Sequence, residues 1–346
     1  MRFESVEKFI SDFTADLSQG ALSRQSVKKF PQILRKIVKE ELPQRDKYAQ
    51  VIIRDLENTQ GLKCSLYSED VCCYSKDGKY LLIGTVVPYW SSGLKDICKD
   101  EQIEDLISAF FHFASQYIAR SKMLDIIGSI AFTYNRAGDY WGSMMHTINF
   151  DRSNKVELSE IFDKHGFAIP NDFGIRGRNR QFLQWNKVLN ALDPYMNRMI
   201  FNYIKAMKLD QSNFSEEAVL SLNKTVDIAM QFITERLKVT INCRNKYETF
   251  QHIGLNKIEC KDLERLYQLR CYFGAHPSMS KWWDFYEIYG DDINEYFFTV
   301  KKLILKIAFA ENQNRVVEKN PVLWSEWFYS NAQMLWDANW FHRIPK

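Results

Sequence analysis

The sequence predicts an α+β N-terminal domain over residues 1–175, followed by an all-α helical bundle over residues 176–346. Three observations carry this. The 346 residues suffice for two domains of ordinary size. Their composition, 46% hydrophobic and 26% charged, is globular. Strand signals crowd into the first half, and helical periodicity takes over beyond the turn-rich stretch Ala168-Ile-Pro170-Asn-Asp-Phe-Gly174-Ile-Arg-Gly177.

Each element has its own signal. Phe3, Val6, Phe9, Ile10, Phe13 and Leu17 recur at helical spacing. A second helix fits Ser26 to Glu41, with Ser26 as N-cap. Asp77-Gly78 stands between β-rich arms, which predicts a hairpin. A long helix is expected over Leu94–Leu124. A second hairpin is expected to join Ser129–Tyr134 to Ser143–Phe150 through Asn135-Arg-Ala-Gly138-Asp. Beyond the boundary, helical patterns fit Asn179–Lys208, Ser215–Asn242, Lys261–Ala275, Asp291–Asn312 and Pro321–Phe341. The second of these places Ala218, Leu222, Val226, Ala229, Phe232, Ile233, Leu237 and Ile241 on one face. Antiparallel helices with short connections make a bundle.

Composition excludes several classes. The formal net charge is +3, so bulk charge does not imply polyanion binding and any nucleic-acid site must be local. The seven cysteines are odd in number and none has C-x-x-C spacing. That fits a reducing cytoplasm better than a disulfide scaffold or a zinc ribbon. The N-terminus reads as an amphipathic helix rather than a signal peptide, and no apolar run reaches spanning length. A cytoplasmic protein without a membrane partner is expected. His112 reads as a core histidine, His146 falls in a strand, and His165 and His252 fall in or near loops. None has metal-ligand spacing with a carboxylate or thiol. Walker, G-x-G-x-x-G, G-x-S-x-G and H-E-x-x-H motifs are absent. No metal or cofactor is expected.

The stretch that carries chemistry is Leu266-Tyr-Gln-Leu-Arg270-Cys-Tyr-Phe-Gly-Ala-His276-Pro277. Arg stabilises phosphate charge bidentately, and His moves protons near neutral pH. On an ideal helix the two would lie about 120° apart around the axis and about 9 Å apart along it. They would not meet. Gly274 permits non-helical dihedrals, and Pro277 disfavours the α region at His276. Arg270 then sits on the last turn, with His276 just past it. A symmetric dimer opposing two such ends would gather both pairs in one cleft.

An Arg followed by a His at this spacing, at the end of a bundle helix, resembles the signature of HEPN-domain ribonucleases. The apolar stripe Leu263-Glu-Arg-Leu-Tyr267-Gln-Leu269 before the Arg and the helix expected from Asp291 agree with it. The resemblance covers about Asn179 to Asn312. Many family members carry Asn or Asp directly after the Arg, whereas this chain has Cys271. The resemblance implies a homodimeric, metal-independent endoribonuclease acting as a toxin or antiviral-defence effector. Attack of the 2′-hydroxyl would leave a cyclic 2′,3′-phosphate and a 5′-hydroxyl, with Arg270 and His276 as the catalytic pair.

Candidate RNA contacts are Lys281, Tyr272 and the basic run Arg176-Gly-Arg178-Asn-Arg180; Arg244-Asn-Lys246 is a weaker version of that run. The aromatic block Lys281-Trp-Trp-Asp-Phe285-Tyr-Glu-Ile-Tyr289 and the C-terminal Trp324, Trp327, Trp336 and Trp340 read as packing. The N-terminal domain is expected to take a regulatory protein or ligand. The alternative is a non-catalytic dimerisation or partner-binding module, or an inhibitor protein. In it Arg270 pairs with Glu264 or Asp262 on its own helix, and His276 bonds the last helical carbonyls.

Overall fold

The structure is a computed structural model that describes residues 48–56, 59, 61–62, 66–67, 71–76, 80–88, 119–138, 145–151, 178–191, 193–241, 245–274 and 293–314. Strands β1 (Tyr48–Leu56), β2 (Leu66–Tyr67), β3 (Val71–Lys76), β4 (Tyr80–Pro88) and β5 (Met145–Asp151) form one antiparallel sheet in the order β2-β3-β4-β1-β5. β3 and β4 pair with Lys76 opposite Tyr80, so the hairpin expected around Asp77-Gly78 is present. Its tip lies outside the described residues. Buried Thr59 ties β1 to β4: its hydroxyl donates to the Leu56 carbonyl at 2.6 Å and accepts from the Leu81 amide at 2.9 Å.

The second expected hairpin is corrected. Residues 119–134 are helical (α1), so Ser129–Tyr134 is not a strand, and β5 pairs with β1 instead. Ser129-Ile-Ala-Phe-Thr-Tyr has the β-branched and aromatic character of a strand, but tertiary burial overrides it. Met123, Ile126, Ile127, Ile130, Ala131 and Phe132 are all buried. The stretch 126–132 is buried on every side, as a helix inside a core is. Gly128 permits this, since a Cβ there would stand 2.8 Å from Ile200 Cγ2 and 3.3 Å from Leu189 Cδ1. The helix ends at Asn135, whose φ of 52° is left-handed.

From residue 178 to 314 every described element is helical: α2 (Arg178–Val188), α3 (Pro194–Gln211), α4 (Ser215–Arg236), a 3-10 helix (Lys246–Ile253), α5 (Lys257–Leu269), a π-helical turn (Arg270–Gly274) and α6 (Ile293–Asn314). The expected single helix Asn179–Lys208 is therefore two. Pro194 opens α3, and the Asp193 carboxylate accepts from the amides of Tyr195 and Met196 at 2.9 and 3.0 Å. α4 stops at Arg236, short of the expected Asn242, where Lys238 takes a φ of 56°. α5 starts four residues earlier than expected. Asn256 accepts from the Glu259 amide at 2.9 Å, while Glu259 accepts from the Asn256 amide at 2.8 Å. That reciprocal capping box satisfies two otherwise unpaired donors.

Among the described residues, α3 and α4 form the broadest helix–helix interface. Leu56, Cys73, Leu81 and Ile83 of the sheet share one contiguous core with α1 and the C-terminal helices. α1, which precedes the expected boundary near residue 176, thus packs within the bundle. Asn197 of α3 reaches the Ser121 hydroxyl at 3.3 Å, and the Ala191 amide donates to Asp125 at 2.6 Å. The helices expected over Phe3–Leu17, Ser26–Glu41 and Pro321–Phe341 lie outside the described residues. So do residues 94–118 of the long helix, and the boundary itself.

Candidate functional site

Arg270 closes α5 with helical dihedrals of −55° and −44°, and the chain then widens into the π-helical turn. Two rungs hold this end against α4. Buried Asn223 donates its side-chain amide to the Leu266 carbonyl at 2.8 Å. The Arg270 guanidinium, through Nη1, donates to Asp227 Oδ2 at 2.9 Å. Positions 223 and 227 share one face of α4, as 266 and 270 share one face of α5, because residues four apart are neighbours on a helix. The Leu266 carbonyl also accepts from the Arg270 backbone amide. The backbone that carries Arg270 is therefore fixed by a buried polar contact, and its side chain by a charged one.

The ion pair is open to water. The side chains of Arg270 and Asp227 are 37% and 49% exposed. Such pairs contribute little to stability, about 0–1 kcal/mol. The expected structural partners, Glu264 and Asp262 on the same helix, are not the ones used: Arg270 pairs across to α4.

Tyr267, one turn before Arg270, organises the surroundings. The Arg270 Cζ lies 6.0 Å from its ring centre, and the Lys246 Nζ lies 4.2 Å from the same centre. Lys246 also lies 4.9 Å from the ring centre of Tyr247, and the two rings are 6.1 Å apart, inclined by 47°. Cations over aromatic faces are attracted by the ring quadrupole. A hydrogen bond with Cys271 raises the Tyr267 phenol above its usual range. Burial, and then the Asp227 carboxylate, raise Tyr247. Both phenols are neutral at physiological pH, so among the described residues the charges gathered around Tyr267 are those of Lys246, Arg270 and the Asp227 carboxylate paired with Arg270.

Of the expected site residues, Arg270 and Tyr272 stand together on one turn, with Tyr272 73% exposed. Arg178 opens α2 and Arg180 is exposed on it. That helix packs on α6 through the edge-on contact of Trp185 with Phe309. His276, Lys281 and Arg176 lie outside the described residues. Asn223, Asp227, Tyr247 and Tyr267 are site residues that sequence reasoning missed. A signal existed for the first two: they are polar positions among the apolar ones of α4. Lys246 was visible only as part of a weak basic run.

Among the described residues, no group of three His, Cys, Asp or Glu side chains could hold a metal ion. No helix among them is long and apolar enough to cross a membrane. No family model, curated protein or solved structure matches the chain, so the residues around Arg270 must speak for its function themselves.

Proposed function

We propose that the chain is a HEPN-like endoribonuclease that works as a homodimer without a metal ion. The observation that carries this is Arg270: a half-exposed guanidinium at the end of a bundle helix, oriented by Asp227, on a turn leading toward His276. Arg270 stabilises the charge that develops on the phosphorane oxygens. The 2′-oxygen of RNA attacks the adjacent phosphorus and gives up its proton, and the 5′-oxygen leaves and takes one. His276 serves as base or acid in these transfers, and a second protomer supplies the other imidazole. The products are a 2′,3′-cyclic phosphate and a 5′-hydroxyl. DNA lacks the nucleophile and is not cut. Lys281, Tyr272, Arg176, Arg178 and Arg180 are assigned to RNA contact. The N-terminal region is assigned to a regulatory partner or ligand, and the site of action is the cytoplasm, as a toxin or defence effector.

A second reading has an observation of its own. Arg270 already has a carboxylate partner, as a purely structural arginine would. The chain would then be a dimerisation or partner-binding module, or an inhibitor. Incubation of purified protein with RNA in EDTA separates the two. The ribonuclease cuts in EDTA, leaves cyclic phosphate ends detectable by mass spectrometry, and loses cutting in His276→Ala with folding intact. Cutting undiminished in that variant removes His276 from the mechanism, and no cutting of any RNA favours the binding module. In cells, the ribonuclease reading predicts that wild-type expression slows growth and that Arg270→Ala relieves it.

A further inference from the structure

Lys246 opens the 3-10 helix, outside the Arg270–His276 motif, yet its ammonium shares the Tyr267 ring with Arg270. It lies between the faces of two tyrosines, and one of them also carries Arg270. Both cation distances at Tyr267 run to one ring centre, so the two cations can be no farther apart than the sum of those distances. Among the described residues, no ion pair engages Lys246. A lysine confined between rings has already given up much of its side-chain freedom, yet keeps its charge and its three donors. A cation fixed before a ligand arrives loses less entropy in binding it.

We propose that Lys246 and Arg270 form a two-cation seat on RNA, in which Lys246 takes the phosphate next to the one under attack. Tyr247 and Tyr267 set the spacing between the two cations. Lys246 is a positioning residue: it fixes the register of the strand, and Arg270 meets the reacting phosphate. Asp227 keeps Arg270 oriented, and among the described residues its carboxylate pairs with Arg270 and not with Lys246. The proposal rests on the ribonuclease reading of Arg270, and its test is chosen to fail separately.

The probe is a fluorescein-labelled 2′-O-methyl oligouridylate, which cannot be cut because its nucleophile is blocked. Binding is measured against salt for the wild type, Lys246→Met, Lys246→Gln and Lys246→Arg. On a single strand, each phosphate that is no longer neutralised lowers the slope of log affinity against log salt by about 0.7. That drop is expected in the Met and Gln variants and not in Arg. With cleavable RNA, the same two variants raise KM by about tenfold and leave kcat near wild type. An unchanged slope in both neutral variants overturns the seat, as does absence of binding by the wild type. A neutral variant that alters only the melting temperature shows a structural lysine and also overturns it. Slopes that shift while no RNA is ever cut overturn the ribonuclease reading and leave the seat. Cleavage with unshifted slopes does the reverse.

Discussion

α4 carries two clusters built from the same residue types, an Asp, an Arg and a Tyr, with opposite character. In one, Arg236 meets Asp193 at 3.3 Å and lies 5.8 Å from the Tyr195 ring centre. In the other, Arg270 meets Asp227 at 2.9 Å and lies 6.0 Å from the Tyr267 ring centre. Asp193 is buried, its side chain 5% exposed, and also caps α3 through two backbone amides. Tyr195 donates to Glu235, which lowers that carboxyl below its usual range, and Lys238 stands near it. Among the described residues, two carboxylates and two cations gather there. Around Arg270 the exposed Asp227 carboxylate meets the arginine, and Lys246 shares the Tyr267 ring, on a turn without regular α geometry. The difference lies in the carboxylates. Asp193 is buried and committed to capping α3, whereas Asp227 is half exposed and holds its arginine on an irregular turn.

The largest expected effect separates the clusters by activity. Arg270→Ala lowers RNA cleavage by about 100-fold or more, while urea unfolding shifts by less than about 1 kcal/mol. A large loss of stability in that variant would make Arg270 a joint after all. Next in size is Gly128→Ala, which probes the joined side of the molecule. Its Cβ would press on Ile200, a buried and β-branched residue that cannot swing aside. A loss of about 1–3 kcal/mol is expected, with cleavage by the folded fraction unchanged; a neutral result would mean that α1 and α3 are less closely packed. Asp193→Ala comes third. Loss of its cap lowers stability by about 1–2 kcal/mol and leaves cleavage per folded molecule intact. Loss of cleavage without loss of stability would erase the contrast.

The last effect concerns buried thiols, which lose their contribution in alkali. Burial pushes Cys72 from 9.0 up to about 12 and Cys260 up to about 11. Both are raised, so the native state keeps protons that the unfolded chain gives up. Their contribution is complete below pH 9 and is lost as pH rises toward the native values. Tyr203 and Tyr247, also raised by burial, add to the loss above pH 10. Lys301, lowered by burial, acts the other way. Urea melts should show stability falling from pH 9 to 10.5, less steeply in Cys72→Ala. A curve flat over that range in the wild type would contradict the burial of these thiols.

Local signals in the chain were legible and long-range ones were not. Asp77-Gly78 marked the β3–β4 hairpin because turn chemistry is local, and the apolar stripe of α4 marked its buried face. The Asp193-Pro194 break and the Asn256–Glu259 capping box were written in the sequence as well. The first was absorbed into one long helical pattern, and the second lay ahead of the periodic residues. Ser129–Tyr134 misled because a buried stretch of helix and a strand share an apolar, β-branched composition. The Arg270–Asp227 pair spans 43 positions and exists only because α5 returns to α4. The charged groups on α5 itself, Asp262 and Glu264, were the partners in view. Lys246 reaches the same place by way of the 3-10 helix, and no spacing in the chain announces it.

The two arginines can be set against each other directly. RNA cleavage in EDTA by Arg270→Ala and Arg236→Ala, each scaled to its folded fraction, tests whether one cluster is a site and the other a joint. The account predicts that Arg270→Ala alone loses cutting while Arg236→Ala alone loses measurable stability. Equal loss of cutting in both, or in neither, would contradict it.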